Sequence, residues 1–296
     1  MVVDFVKYRK IYYILSGILV ISSLFSLIFY RLNFGIDFTG GSILTLEFKN
    51  DRPTNQEVEN KLADLNLGEI TVQPTGENDL ILRVKYIDEA IHQQLLQKFN
   101  GQVEEKSFDS IGPTIGKELT NKTFIFIFLV LFAIILFIAF AFRKSSRPVS
   151  SWQYGLVAAL VAFLHDVLIP LGVFSLLGKF YNIQVTIPIV VGLLTILGYS
   201  VHDTIVVFDR IRENISRSGS RAFELIVNDS LNQTLVRSIN TSLTTLLVLL
   251  AIFFVGGETL RYFSLILILG IITGTYSSIF IASPILVSWL KFRKRG

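Results

Sequence analysis

Residues 121–142 form an apolar stretch, NKTFIFIFLVLFAIILFIAFAF, with no charged side chain between Lys122 and Arg143. An α-helix that crosses the ~30 Å hydrocarbon core of a bilayer needs about 20 such residues. Five further apolar runs of similar length fall at roughly 11–30, 152–177, 184–208, 235–255 and 259–290. The sequence therefore predicts a polytopic α-helical membrane protein with six transmembrane helices, the last of them long.

The composition agrees with a chain that lies mainly in lipid. Hydrophobic residues make up 51% and charged residues 17% of the sequence, and the mean hydropathy is +0.58. A soluble domain carries more charge, about 25%. The first apolar run is too long for a signal-peptide core and lacks a small-residue cleavage site before Arg31, which predicts an uncleaved anchor. The sequence contains no cysteine, which excludes disulfides, thiolate metal sites and cysteine nucleophiles.

Basic residues are concentrated on one side of the predicted membrane. That side carries Lys7, Arg9, Lys10, Arg143, Lys144, Arg147, Arg210, Arg212, Arg217, Arg221, Lys291, Arg293, Lys294 and Arg295. The opposite short loops carry only Lys179 and Arg261. Because basic short loops stay in the cytoplasm, we expect both termini to be cytoplasmic. The same topology explains the net charge of +4 without nucleic acid, for which there is no basic-aromatic surface.

Residues 31–120 change to strand-like alternation and helical spacing. The predicted elements are a strand at Ser42–Phe48, a helix capped by Thr54 and Glu57, strands at Glu69–Pro74 and Leu80–Tyr86, a helix around Leu95, and a strand from about Gln102. The order βαββαβ predicts an external α+β ferredoxin-like domain between spans 1 and 2. Its exposed sheet face or edge could hold another chain; the alternatives are a spacer domain or a dock for a partner subunit.

Three parts of the chain follow from these patterns. Residues 1–30 form a cytoplasmic N-terminus and transmembrane helix 1, residues 31–120 a periplasmic α+β domain, and residues 121–296 transmembrane helices 2–6 with cytoplasmic loops and C-terminus. The segment Gly112–Glu118 superficially resembles a phosphate-binding loop, but only three residues separate its glycines, and Glu118 replaces the metal-binding hydroxyl. We expect a rigid link there and no nucleotide.

Three ionisable residues, Asp166, Asp203 and Arg237, lie in or at the ends of apolar runs. Such groups cost several kcal/mol in a membrane unless they pair or line a wet cavity, so each is a functional candidate. Asp166 follows His165, and Pro170 removes the helical donor from the peptide oxygen of Asp166. This predicts a polar, kinked site. A hydrogen-bonded brace between helices is the alternative interpretation of Asp166.

Asp203 and Arg237 enter the membrane from the same predicted side. At ~1.5 Å per residue, Asp203 lies roughly 8 Å inside the boundary, so a contact between the two side chains is plausible. The alternatives are a static ion pair for Asp203 and an anchor at the lipid headgroups for Arg237. Nearby polar residues that could support the pair, or the Asp166 site, are His202, His165, Tyr199, Asn240, Thr241 and Thr244.

A buried carboxylate can accept a proton, and a nearby arginine favours its ionised form. Such a pair can couple protonation to movement. One charge that crosses 100 mV is worth ~2.3 kcal/mol, enough to bias two conformations by a factor of tens. We expect no enzymatic activity, no metal and no cofactor, with protons as the coupling ion.

Three motifs resemble those of the SecD/SecF family of protein-export membrane proteins, in the resistance-nodulation-division superfamily. They are NFGIDFTGG at 33–41, GYSVHDTIVVFDRIREN at 198–214 and RSINTS at 237–242. The signature residues of the first are Gly35, Asp37, Thr39, Gly40 and Gly41. One external domain with six spans is typical of the SecF branch, because a SecD would carry a larger domain.

The resemblance implies an auxiliary subunit of the Sec preprotein translocase in the bacterial inner membrane. With SecD, such a subunit uses the proton motive force to promote late stages of translocation and release. The resemblance puts Asp203 and Arg237 at proton-relay positions, with Asp166 as a second carboxylate. It also implies SecD, SecYEG and YajC as partners, together with the translocating preprotein and membrane lipid.

Two other functions remain open. A proton-driven exporter of small molecules or lipids in the same superfamily would use the same charges, but it would carry larger external domains. A non-transducing scaffold of the translocon would need neither Asp203 nor Arg237. Substitution of these two residues separates the scaffold from the relay.

Overall fold

The computed structural model describes residues 3–143, 150–217 and 221–293. The chain divides into two compact units. One is the segment Phe34–Phe124, and the other combines Met1–Asn33 with Ile125–Gly296.

The first unit is a four-stranded sheet with two helices on one face. Its strands are β1 (Gly41–Phe48), β2 (Thr71–Thr75), β3 (Asp79–Val84) and β4 (Val103–Ile111). The strand order is β2-β3-β1-β4, and all neighbours are antiparallel. The helices Asn55–Leu62 and Glu89–Lys98 follow β1 and β3. This is the ferredoxin-like arrangement, so the predicted fold class is confirmed.

Local sequence explains these elements. Alternate residues of β1, Leu44, Leu46 and Phe48, are buried in the core shared with the helices. Thr54 Oγ1 accepts from the Glu57 N–H at 3.4 Å, and Glu57 Oε2 accepts from the Thr54 N–H at 2.8 Å. These reciprocal bonds form the predicted capping box and start the first helix.

The strand boundaries differ from the sequence prediction at the end of β3. The Lys85 N–H donates to the Leu67 carbonyl at 3.0 Å and so leaves the ladder, and β3 ends at Val84 rather than Tyr86. A short helix at Ile36–Thr39, inside the 33–41 motif, was not predicted. A single helical turn is too short to show apolar periodicity.

The glycines of the 33–41 motif pack against the backbone that begins the second long helix. Gly40 has φ +72°, and a Cβ at this position would lie 2.8 Å from Pro113 Cα. A Cβ on Gly116 would lie 2.9 Å from the Gly40 nitrogen. The motif therefore forms a close backbone junction that only glycine permits at these positions.

Six helices in the described residues are long and apolar enough to cross a membrane. They are span 1 (Arg9–Tyr30), span 2 (Pro113–Ala141), span 3 (Trp152–Tyr181), span 4 (Ile187–Arg217), span 5 (Phe223–Val255) and span 6 (Leu260–Phe292). The protein is thus a multi-pass membrane protein, as predicted. Half or more of the apolar window of spans 3, 4 and 6 is buried, against 17% in spans 1 and 5 and 6% in span 2.

Small residues bring spans 4 and 6 together. A Cβ on Gly192 would lie 2.5 Å from the Ile266 side chain, and one on Gly274 would lie 3.0 Å from Ser200 Cβ. Gly270 faces Ile196 in the same way. Close approach through glycine is the usual means of packing membrane helices, and it places polar side chains of the two spans within bonding distance.

Candidate functional site

Asp203 lies inside the bundle, on span 4, and is 7% exposed. Ser238 Oγ on span 5 donates to Asp203 Oδ1 at 2.7 Å. Within the described part of the chain, Asp203 Oδ2 is buried and has no hydrogen-bond partner. One oxygen of this carboxylate is therefore held by a neighbouring span, and the other can take a proton.

A cavity of about 160 Å³ adjoins the carboxylate. Its lining residues are Tyr199, His202, Asp203, Val206, Arg237 and Thr241. The Tyr199 hydroxyl is a second buried polar atom without a partner among the described residues. The cavity is large enough for several water molecules, and water is the usual partner of such orphaned groups. The site therefore has the polarity and the space for a hydrated proton path.

Arg237 is an exposed residue at the wall of this cavity. No ion pair between described residues joins it to Asp203, so the contact that the sequence suggested is not a direct one. Consecutive side chains of an α-helix point about 100° apart. Ser238 consequently points into the bundle, where it is 1% exposed, while Arg237 lies at the exposed side of the cavity. In this conformation Asp203 is not locked by a static ion pair.

Asp166 on span 3 is completely buried and has hydrogen bonds to both oxygens. Its Oδ1 lies 2.7 Å from His165 Nδ1. Its Oδ2 accepts from Ser277 Oγ of span 6 at 2.7 Å and also from Ser200 Oγ of span 4. The Asp166 carboxylate thus links three spans, and both of its oxygens accept or share hydrogen bonds. This geometry fits the interpretation of Asp166 as a hydrogen-bonded brace between helices.

The backbone around both sides of the Asp166 cluster is irregular. A π-helical turn covers Ala162–Val167 in span 3, ahead of Pro170, where the sequence predicts distortion. A second π-helical turn, Ser278–Ala282, follows Ser277 in span 6. Such turns are uncommon and occur often at functional sites, because they redirect side chains of consecutive residues. His165 and Asp166 lie within the first of these turns, and Ser277 directly precedes the second.

Hydroxyl groups and the Ser200 backbone carbonyl lie between the two carboxylates. Thr204 Oγ1 lies 2.8 Å from Ser278 Oγ, and it donates to the Ser200 carbonyl at 3.1 Å. Ser200 in turn bonds Asp166. The Ser278 hydroxyl also lies beside Asp203. Spans 3, 4, 5 and 6 therefore share one polar interior.

The other predicted residues are divided between the two clusters and the bundle surface. His202 and Thr241 are exposed residues that line the Asp203 cavity. His165 belongs to the Asp166 cluster, where its ring stacks on Tyr276 with centroids 5.7 Å apart. The exposed Thr244 donates to the Asn240 carbonyl of its own helix at 3.0 Å. Neither Asn240 nor Thr244 lines the cavity.

Sequence analysis missed the four serines Ser200, Ser238, Ser277 and Ser278. A serine is compatible with an apolar run and carries little hydropathy signal. Their positions in the sequence could have indicated two of the sites. Ser238 adjoins Arg237, and the pair Ser277-Ser278 interrupts the last apolar run.

The fold and the site define a polytopic membrane protein with one ferredoxin-like domain and ionisable side chains inside its helix bundle. The family profile described as Protein export membrane protein SecD/SecF, C-terminal, matches residues 91–292, and the SecD/SecF GG Motif profile matches residues 25–51. The chain belongs to the SecD/SecF family, and its curated relatives place it among the SecF subunits of protein translocase.

Two of these relatives cover almost the whole chain. The SecF of Thermobaculum terrenum is 43% identical over 97% of this chain and 94% of its own length. The SecF of Anaerolinea thermophila is 40% identical over 95% of this chain and 92% of its own length. The crystal structure of SecDF from Thermus thermophilus is similar with a TM-score of 0.85 and 31% identity, over 98% of this chain. This chain spans only 39% of that SecDF chain.

Proposed function

We propose that this subunit uses the proton motive force, together with SecD, to promote late stages of preprotein translocation and release. The single observation that carries the proposal is the Asp203 carboxylate, with one oxygen bonded to Ser238 and the other unpaired beside a cavity. An ionisable group inside a membrane that keeps an unused bonding capacity is expensive unless it exchanges protons. Asp203 is therefore the proton-accepting residue.

Arg237 is the residue that responds to the charge on Asp203. The two residues line the same cavity. An ionised Asp203 attracts the guanidinium, and a protonated Asp203 releases it. A proton driven by 100 mV supplies ~2.3 kcal/mol, which shifts a two-state equilibrium by a factor of tens. Movement of spans 4 and 5 would transmit this energy to the α+β domain and the emerging chain.

The outward polar stripe of span 5 supports SecD as the partner. Arg237, Asn240, Thr241 and Thr244 are exposed on this helix. Lipid would leave these groups poorly solvated. A second subunit with polar groups on its own spans would cover them, and the similar solved structure is that of SecDF, of whose chain this protein covers 39%. SecYEG and YajC complete the proposed assembly.

The proposed orientation has both termini in the cytoplasm of a bacterial cell, with the α+β domain outside. The chain has no cysteine, so single introduced cysteines report their side of the membrane without background. Glu77→Cys in the domain should react with an impermeant maleimide in intact cells, and Ser216→Cys should react only after lysis. The reverse pattern would overturn the orientation.

The central test measures gradient-dependent stimulation of preprotein translocation in vesicles containing SecYEG and SecD. Asp203→Asn and Arg237→Met should each insert normally and abolish this stimulation. The matched control is Asp209→Asn, which removes another carboxylate of the same helix. The Asp209 carboxylate lies 2.6 Å from the Arg212 guanidinium. Asp209→Asn should retain stimulation. Full stimulation by both Asp203→Asn and Arg237→Met would show that the subunit is a scaffold.

A further inference from the structure

Ser238 is a buried residue whose hydroxyl bonds the proposed proton acceptor, Asp203. It is 1% exposed and lies on span 5, one position after Arg237. We infer that Ser238 is a positioning residue for the proton-coupled step, because its hydroxyl holds Asp203 Oδ1 and leaves Oδ2 as the oxygen that exchanges protons. This inference rests on the proposed function and adds to it a side chain that lowers the proton affinity of Asp203.

The bond joins two helices. Ser238 Oγ on span 5 and Asp203 Oδ1 on span 4 are 2.7 Å apart, a normal length for a hydroxyl bonded to a carboxylate. A bond to an ionised acceptor is roughly twice as strong as one to a neutral acceptor. Protonation of Asp203 therefore weakens a direct link between spans 4 and 5, while ionisation strengthens it.

Other groups around Asp203 act from different directions. Tyr199 and His202 face the same cavity from span 4, Arg237 faces it from span 5, and Ser278 approaches from span 6. Of these, Arg237 and His202 are more exposed than Asp203 and can be screened or moved. Ser238 and Ser278 are both buried, but the Ser278 hydroxyl is shared with Thr204 at 2.8 Å, whereas Ser238 Oγ bonds Asp203 Oδ1. The Ser238 bond is therefore the one expected to follow the protonation of Asp203.

The test uses Ser238→Ala in the full subunit, assembled with SecD and SecYEG in vesicles. A hydrogen bond to a carboxylate favours the ionised form. Loss of the Ser238 bond should make Asp203 bind its proton about tenfold more tightly. The pH on the side of the membrane where the proton is released, at which stimulation is half-maximal, should therefore rise by about 1 unit. Ser238→Thr retains a hydroxyl and should restore the wild-type profile. A purely structural role would lower stimulation at every pH without displacing the profile.

Ser242→Ala is the matched control. Ser242 lies one turn further along span 5, is also buried, and bonds Thr275 of span 6 at 2.5 Å instead of a carboxylate. Its alanine variant should keep the wild-type pH profile. An unshifted profile in Ser238→Ala, or an equal shift in Ser242→Ala, would overturn the inference. If Asp203→Asn still loses stimulation in the same assay, such a result refutes only the role of Ser238. Full stimulation with Asp203→Asn would instead refute the proposed function itself.

Discussion

Ser277 of span 6 donates a 2.7 Å hydrogen bond to Asp166 Oδ2 of span 3. This bond, with those from His165 and Ser200, gives the buried carboxylate three partners on three spans. Asp203, one span away, has an unpaired oxygen instead. The two membrane carboxylates should therefore respond differently to substitution.

Asp166→Ala should destabilise the bundle. The substitution removes the acceptor of two buried hydroxyls and a histidine, and a buried polar group without a partner costs about 1–3 kcal/mol. We expect a total loss of about 3 kcal/mol or more, measured by thermal unfolding of the purified protein in detergent. Asp203→Asn serves as the comparison and should unfold close to wild type, since an amide oxygen still accepts from Ser238. Equal stability of Asp166→Ala and wild type would contradict the brace.

Gly172→Ala should loosen the packing of spans 1 and 3. A Cβ at this position would lie 2.6 Å from Ser23 Cα, a backbone atom that cannot move aside without shifting the helix. Overpacking of this kind costs about 1–3 kcal/mol. Gly198→Ala is the control, because a Cβ at Gly198 would meet no atom of the described structure within 4 Å. Its stability should stay within about 1 kcal/mol of wild type by the same unfolding measurement.

Gly40→Ala should disrupt the junction that follows the 33–41 motif. Gly40 and Gly101 share a φ of +72°, which costs an alanine roughly 1–2 kcal/mol. Only Gly40 also faces a backbone atom, Pro113 Cα, at 2.8 Å. Gly40→Ala should therefore lower the resistance of the α+β domain to limited proteolysis more than Gly101→Ala does. Similar sensitivity of the two variants would show that backbone strain alone matters.

The ion pair between Asp64 and Lys98 should make the α+β domain sensitive to acid. The hydrogen bond from Lys98 Nζ holds the pKa of Asp64 below its ordinary value of 3.8. A carboxylate with a lowered folded pKa stabilises the domain above its unfolded value, and this contribution is lost as the pH falls through the folded value. Lys98→Met should thus reduce stability at pH 7 and have no effect in strong acid. Because the pair is exposed, the reduction should be small.

Urea unfolding checks this prediction, with a dye attached to Glu77→Cys as the reporter. The control is Lys49→Met, an exposed lysine that takes part in no ion pair of the described residues. Its urea midpoint should match that of the parent at both pH values. A difference between Lys98→Met and the parent that persisted below the folded pKa of Asp64 would mean that lost packing, not charge, is responsible.

Sequence reasoning predicted the α+β domain because its signals are local. The Thr54 and Glu57 pair starts a helix wherever the chain places it, and the alternation of Leu44, Leu46 and Phe48 needs one covered face. The helix at Ile36–Thr39 escaped prediction because a single turn is too short to show apolar periodicity.

The membrane residues show the opposite balance. Hydropathy identifies Asp166, Asp203 and Arg237 because a charge in an apolar run is conspicuous. It cannot tell which of two carboxylates is satisfied, since that depends on hydroxyls of other spans. Asp166 and Asp203 look alike in sequence, each following a histidine, yet one has three partners and the other has an unpaired oxygen.

The sequence by itself determined that the chain crosses a membrane six times and carries a βαββαβ domain, because apolar length and residue alternation act within each segment. The tertiary structure alone decided that Asp203 bonds Ser238 and not Arg237. Helices approach one another where glycines allow, and the rotation of each helix then selects which neighbours can bond. A hydrogen bond between two spans depends on distances of a few tenths of an ångström, which no local pattern encodes.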